Sequence, residues 1–404
     1  MIFSAFSGVG RGIFTIIILW VIHYQYQNPF YTGLAGFMLA VMTIGSFLVG
    51  PFVDRHNKAN LLRADCLISL IVVCLTLIAF LTYLPGVWFL LLMTLIKAAT
   101  ELIGNPARTA ILPRIVDGED LMKANALKNI VNIIAGLGFG GFLYVAMSRG
   151  GDFALVFAVS ATLLLVALIF AIFIKSNEVE KTELKTDKTP IKAYFSELKE
   201  GFTFVKSGVL MFLLVAVLAM DIAASVAYVN LPMFAQVHTG QASGYIILTF
   251  LAMIGGLIGS YISRIIGPKL EIWKVLLVSF VLAGAARILF VNVIADNFTR
   301  ALLIYAFYVG MGSVIGMFFG TLIQKLPPKR LIARVDTIFD SLLGVTSAFG
   351  ALLGGIMGTL IVDVDLIFII QGVTYIVIGL LVCMSKSVRG LPKIDDVKTF
   401  EDGQ

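Results

Sequence analysis

Twelve apolar stretches, cut by polar breaks whose basic residues alternate from side to side, constrain this chain more than any motif it carries. They run 2–24, 32–52, 61–83, 87–107, 128–147, 153–174, 208–236, 242–263, 272–291, 301–323, 337–361 and 366–385. About 20 apolar residues wound as a helix cross about 30 Å of hydrocarbon, so each stretch reads as a membrane span. The even-numbered connections and the C-terminal tail gather the cations. They hold Arg55, Lys58 and Arg63; Arg108, Arg114, Lys123 and Lys128; the lysines from Lys175 to Lys206; Arg264, Lys269 and Lys274; Lys325, Lys329, Arg330 and Arg334; and Lys386, Arg389, Lys393 and Lys398. The opposite side holds Arg149 and Arg300, while Arg11, Lys97 and Arg287 fall inside stretches. Basic residues stay on the cytoplasmic side of inserted helices, which places both termini in the cytoplasm. A soluble core would leave the charges unsorted. The net charge of +6 is therefore a topological signature, and no nucleic-acid partner is expected.

Composition agrees: 59% of residues are hydrophobic, 13% are charged, and the mean hydropathy is +0.99. The sequence predicts an all-α membrane protein of twelve transmembrane helices in two pseudo-symmetric six-helix bundles. The expected boundaries are a first bundle over 1–174, a cytoplasmic linker over 175–207, a second bundle over 208–385 and a cytoplasmic tail over 386–404. In the linker, Thr and charge up to Pro190 give way to Ile191, Tyr194, Phe195, Leu198, Phe202 and Phe204, a helical apolar stripe suited to the membrane interface. The first stretch begins almost at Met1 and reads as a true helix rather than a cleaved leader. Cys66, Cys74 and Cys383 lie within helices without metal-ligand spacing and read as free thiols. Neither half has room for a soluble catalytic domain, so an enzyme is not expected. There is no phosphate-binding Gly-Lys-Ser/Thr loop, so ATP is not expected to drive the protein, and neither cofactor nor metal is implied.

The halves resemble each other. Gly50-Pro51-Phe52-Val53-Asp54-Arg55 follows the second stretch and Gly259-Ser260-Tyr261-Ile262-Ser263-Arg264 follows the eighth. Gly136, Gly140 and Gly141 in the fifth recur as Gly350, Gly354 and Gly355 in the eleventh. With its Asp54-Arg55 pair and Lys58 beyond, the first loop resembles the signature between helices two and three of the major facilitator superfamily, although Asn57 stands where that pattern has Gly. The fourth stretch and its sequel, Asn105-Pro106-Ala107-Arg108 and Leu121-Met122-Lys123-Ala124-Asn125-Ala126, resemble the branch of macrolide-efflux proteins, the enterobactin exporter and lysophospholipid transporters. This likeness spans essentially the whole chain. It implies a bacterial inner-membrane transporter, a functional monomer, that moves a small-molecule substrate by alternating access.

The resemblance makes Gly50, Asp54 and Arg55, with Asp65 as a partner for Arg55 or Arg63, a cytoplasmic latch; the alternative is a plain topogenic loop. It also places helices one, four, seven and ten around a central cavity. Arg11, Lys97, Glu101 and Asp221 are then the groups that meet water and substrate. Lys97 stands at the family's helix-four Arg position, and Glu101 departs from the small residues that follow it there. Burying a charge in a bilayer demands a partner or a wet cavity. Lys97 and Glu101, four residues apart, can pair. Asp221 has no cation nearby in sequence, and a desolvated carboxylate can load and release a proton near neutral pH. It reads as a coupling or substrate-binding acid, or else as one half of a static salt bridge to Arg11 or Lys97. Asn132 and Asn230 are further candidates for hydrogen bonding a substrate. The fifth-helix glycines keep the spacing of the family's antiporter motif, but Leu137 replaces its Pro, and close helix packing explains them equally well. The expected function is proton-driven export of a bulky apolar or amphipathic compound such as a drug or macrolide. A dedicated metabolite, siderophore or lysophospholipid carrier, anchored on Arg11 and Lys97, is the alternative, and a non-transporting membrane partner or sensor is a third.

Overall fold

Hydrocarbon offers no water to backbone N–H and C=O groups, so each apolar stretch closes its hydrogen bonds internally as a helix. The computed structural model describes residues 2–44, 56–82, 85–115, 139–140, 142–143, 145–147, 152–173, 202–206, 208–267, 269–328, 331–361 and 363–397. In chain order the helices are α1 (Ile2–Tyr26), α2 (Pro29–Ile44), α3 (Lys58–Thr82), α4 (Val87–Ile115), α5 (Phe153–Phe173), α6 (Val209–Thr239), α7 (Ala242–Ile266), α8 (Ile272–Ile294), α9 (Phe298–Lys325), α10 (Ile332–Leu360), α11 (Val364–Met384) and the short α12 (Lys386–Arg389). Helices α1–α4 correspond to the first four apolar stretches, α5 to the sixth, and α6–α11 to the seventh through twelfth. Among the described residues, ten helices are long and apolar enough to cross a membrane, and Pro29–Met42 adds a shorter apolar segment. Most of the fifth stretch, Asn132, Gly50, Asp54, Arg55 and the linker before Phe202 lie outside the described residues.

Two compact units emerge, one of Met1–Lys185 with Leu231–Ile247 and the other of Thr186–Asn230 with Leu248–Gln404. Inside the first, α1 packs on α5, α3 on α5 and α4, and α2 on α4. Leu231–Ile247 joins this unit through a stack of Trp20 on Tyr245 and a hydrogen bond between the Gln27 and Gln236 side chains. In the second unit α8 is the central element, packed on α9 and α11.

Helix α3 shows how the bilayer sorts side chains. Leu67, Ile71, Leu75 and Ile78 form an exposed apolar stripe, whereas Asp65, Ser69 and Thr76 share the buried face. The polarity is inverted relative to a soluble helix because lipid cannot partner polar groups. Helix ends follow capping chemistry. The Asn57 carboxamide oxygen accepts from the N–H groups of Ala59 and Asn60 to open α3, and Asn297 accepts from Arg300 N–H to open α9. Gly240, at φ +66°, supplies the left-handed turn between α6 and α7. The segment around Ile394 packs on the end of α9, where Lys325 Nζ donates to the Ile394 carbonyl at 2.8 Å. All three cysteines are free thiols.

Candidate functional site

The first unit holds a buried charge cluster on α1, α3 and α4. Arg11 Nη1 donates to Asp65 Oδ2 at 2.7 Å, and Arg108 Nη1 donates to the same oxygen at 2.6 Å. Arg11 Nη2 also donates to Ser7 Oγ at 3.1 Å, one turn back along α1. The Asp65 side chain is only 1% exposed. The carboxylate fits because Gly104 faces it: a Cβ there would lie 2.5 Å from the Asp65 carboxyl carbon. Its other oxygen, Oδ1, has no hydrogen-bond partner. Farther along α4, Lys97 donates to Glu101 across one helical turn, with Lys97 fully buried and the Glu101 side chain 34% exposed. Three cations and two carboxylates thus share this part of the unit.

Asp65 was expected to pair with Arg55 or Arg63. Arg63 instead donates to the Ala171 and Ile172 carbonyls at 3.1 and 3.0 Å and to the Asn60 side chain at 2.9 Å. Residues two apart on a helix do not share a face, so one turn of α3 aims Asp65 at α1 and α4 and Arg63 at the end of α5. Arg55 lies outside the described residues. Arg108 was read from sequence as a topological cation and as part of the Asn105-Pro106-Ala107-Arg108 stretch, and not as a partner of Asp65. The signal available was its position one turn after Gly104, on the α4 face that meets Asp65.

In the second unit the isolated acid of α6 is met by hydroxyls. Asp221 Oδ2 accepts from Thr346 Oγ1 at 2.7 Å and from Ser347 Oγ at 2.8 Å, both on α10. Among the described residues no basic side chain forms an ion pair with it. Arg11 and Lys97, the expected salt-bridge partners, each hold another acid. Small residues make this reach possible. A Cβ on Gly350 would lie 2.9 Å from the Ile222 carbonyl oxygen, and one on Gly354 would lie 2.7 Å from that of Val226, so α6 and α10 run nearly backbone to backbone. Thr346 and Ser347 were missed because adjacent hydroxyls in an apolar stretch carry no distinctive spacing.

Asn230, expected to face a substrate, is fully buried at this same crossing. Its Nδ2 donates to the Val226 carbonyl at 2.9 Å and to the Gly354 carbonyl at 2.8 Å, tying α6 to α10. Its Oδ1 is buried without a hydrogen-bond partner, so the amide is satisfied on its donor side alone. Asn132, Gly50 and Asp54 lie outside the described residues.

Comparison with known proteins bears on the fold and the family. The family model of the Major Facilitator Superfamily matches residues 1–335. Two similar proteins from Bacillus subtilis (strain 168) are described as MFS-type transporters. YvqJ is 26% identical over 200 residues, covering 47% of this chain and 45% of its own, so the chain matches less than half of that relative's length. YkuC is 24% identical over 337 residues, covering 78% of this chain and 74% of its own. Among solved structures, the nucleoside transporter NupG aligns with a TM-score of 0.75 at 14% identity, over 95% of this chain and 98% of its own. A bacterial homologue of the human lysosomal transporter Spinster, inward-facing and unoccupied, aligns with a TM-score of 0.65 at 15% identity, over 96% of this chain and 94% of its own. At these identities the structural likeness speaks to the fold.

Proposed function

This chain belongs to the Major Facilitator Superfamily and is a multi-pass membrane transporter working by alternating access, and on that premise we propose that it exports a bulky apolar or amphipathic compound in exchange for protons. The observation that supports proton coupling is Asp221. It is an acid within a membrane helix, held by two neutral hydroxyls rather than by a cation, so no ion pair locks it in the charged form. Thr346 and Ser347 donate to the carboxylate, and when Asp221 takes up a proton each hydroxyl can rotate to its own helix. Thr346 already lies 3.1 Å from the Leu342 carbonyl. Both protonation states therefore have hydrogen-bond partners, which is what a site that loads and releases a proton in each cycle requires.

The cluster in the first unit has a different role in this reading. Asp65 with Arg11 and Arg108, and Glu101 with Lys97, form ion pairs. They set a positive environment in α1 and α4 that steers the substrate and holds the helices in register. Inward proton flow through Asp221 drives outward substrate flow. Export then rises as the outside is made more acidic than the cytoplasm and falls when that gradient collapses.

One observation favours a second reading. Three cations against two carboxylates leave an excess positive charge that suits an anionic headgroup, so a dedicated carrier of an anionic metabolite or lipid remains the alternative. The deciding experiment measures accumulation of a macrolide and fluorescent-dye panel in pump-deficient bacteria expressing the chain or its Asp221→Asn variant, with and without uncoupler. The expected result is lower accumulation in cells with the wild-type chain, abolished by uncoupler and by Asp221→Asn at equal expression. Unchanged accumulation for every compound refutes drug export, and uncoupler-sensitive export that survives Asp221→Asn removes Asp221 from the mechanism.

A further inference from the structure

At one end of the second unit, the start of α8 and the segment just beyond α11 bring a tryptophan and two cations together. Lys274 Nζ lies 5.4 Å, and Arg389 Cζ 5.9 Å, from the centroid of the Trp273 ring. An isolated antiparallel bridge between Glu271 and Lys393 holds the two segments side by side. Glu271 Oε2 accepts from the Trp273 indole N–H at 2.8 Å and pairs with Lys274 Nζ at 3.0 Å. Arg389 donates to the Cys383 carbonyl at the end of α11, and among the described residues no acid pairs with it. Residues 269–274 and 386–396 together carry five cations against three acids, so the pair of segments is net positive.

The apolar flanks set the height of this cluster in the bilayer. Val278, Leu282 and Leu289 form an exposed stripe on α8, and Lys274 stands at its head, since residues four apart share a helix face. Helix α11, packed on α8, has its own exposed stripe of Val377, Leu381 and Met384, which ends a few residues before Arg389. Both helices are long and apolar enough to span the membrane, so these stripes face acyl chains. The cluster therefore lies at headgroup level, where an indole is favoured and where long basic side chains extend to reach water and phosphate. The Lys274 side chain is 49% exposed and Arg389 is exposed, so both charges are open to a partner from outside the chain.

We propose that Lys274, Trp273 and Arg389 bind the headgroup of one anionic phospholipid, whose acyl chains lie on the exposed stripes of α8 and α11. The phosphodiester accepts from the Arg389 guanidinium and the Lys274 ammonium on either side of the indole. Net positive charge selects an anionic lipid, because the ammonium of a zwitterionic headgroup is repelled by the same cations. The bound lipid ties the start of α8 to the end of α11, whichever substrate the protein carries.

Native mass spectrometry of the full-length protein in detergent, titrated with dioleoylphosphatidylglycerol or dioleoylphosphatidylcholine, tests this. The expected result is a first phosphatidylglycerol bound more tightly than the first phosphatidylcholine. A cation near the headgroups is worth about fivefold in affinity, so Lys274→Gln and Arg389→Gln each weaken phosphatidylglycerol binding by about that factor. The double variant loses more than about tenfold, while Arg389→Lys, which keeps the charge, retains binding. Arg264→Gln, which removes an exposed cation at the end of α7, binds as wild type. Equal wild-type affinity for the two lipids overturns the proposal, as does wild-type affinity in the double variant. An equal loss in Arg264→Gln overturns it too, because the attraction is then a diffuse charge effect. Displacement of the lipid by inorganic phosphate at matched ionic strength reassigns the cluster to soluble phosphate and refutes a lipid site. Should the double variant fail to fold, the single variants decide by the same criterion.

Discussion

Asp65 shows what a single buried carboxylate can organise. One oxygen takes two guanidinium groups from two other helices, so removing it strands both cations. Breaking a buried ion pair by deleting one partner costs about 3–5 kcal/mol, and Asp65→Ala should fall in that range by thermal or denaturant unfolding. Arg63→Gln, which loses hydrogen bonds to two carbonyls at the protein surface, should cost only about 1 kcal/mol. Equal losses from the two would mean that Asp65 is not the shared counter-ion. Asp221 belongs to the opposite class, a carboxylate met by neutral donors, and its substitution by Asn should leave stability nearly unchanged while removing coupling to the proton gradient. The contrast was half legible. That Asp221 lacks a cation could be read from the run Leu218-Ala219-Met220-Asp221-Ile222-Ala223-Ala224. That Asp65 would choose Arg11 and Arg108 over Arg63 could not, because the choice depends on which faces of three helices meet.

At the scale of elements, the helices carry their polarity inside out, and the crossings are set by the smallest side chains. Helices α7 and α9 approach so closely that a Cβ on Gly259 would lie 2.0 Å from the Gly310 carbonyl oxygen. Gly259→Val should therefore destabilise the protein by at least about 1–3 kcal/mol through overpacking, whereas Gly312→Ala, with open space at its Cβ, should be nearly neutral. Melting temperatures of the two variants in the same detergent check this; equal shifts would mean that the crossing relaxes freely. The repeated glycines of the eleventh stretch could be picked out in the sequence as packing positions, and Gly350 and Gly354 do face α6. Of the fifth-stretch glycines they repeat, Gly136 and Gly141 lie outside the described residues. The role of Asn230 was not legible, because an amide that staples two helices and one that binds a substrate look alike along the chain.

For the whole molecule, we propose from the alternation of basic residues that both termini lie in the cytoplasm. A fluorescent reporter at the C-terminus should mature, and a cysteine introduced beside Arg149 should react with an impermeant thiol reagent in intact cells. A labelled cytoplasmic connection near Lys58 would reverse the assignment. The described spans and the family were readable from the sequence, since hydrophobic length is a local sum that a bilayer enforces one segment at a time. The helix ends observed fall within a few residues of the stretches read from composition for α1, α3 and α5–α11. What the tertiary structure decided is the pairing of these charges among the described residues: Arg11 and Arg108 on Asp65, Lys97 on Glu101, Asp221 on two hydroxyls, and Arg287 in a cage of rings. Those pairings depend on rotation about each helix axis and on how closely two backbones approach, and neither quantity is written in any one segment of the chain.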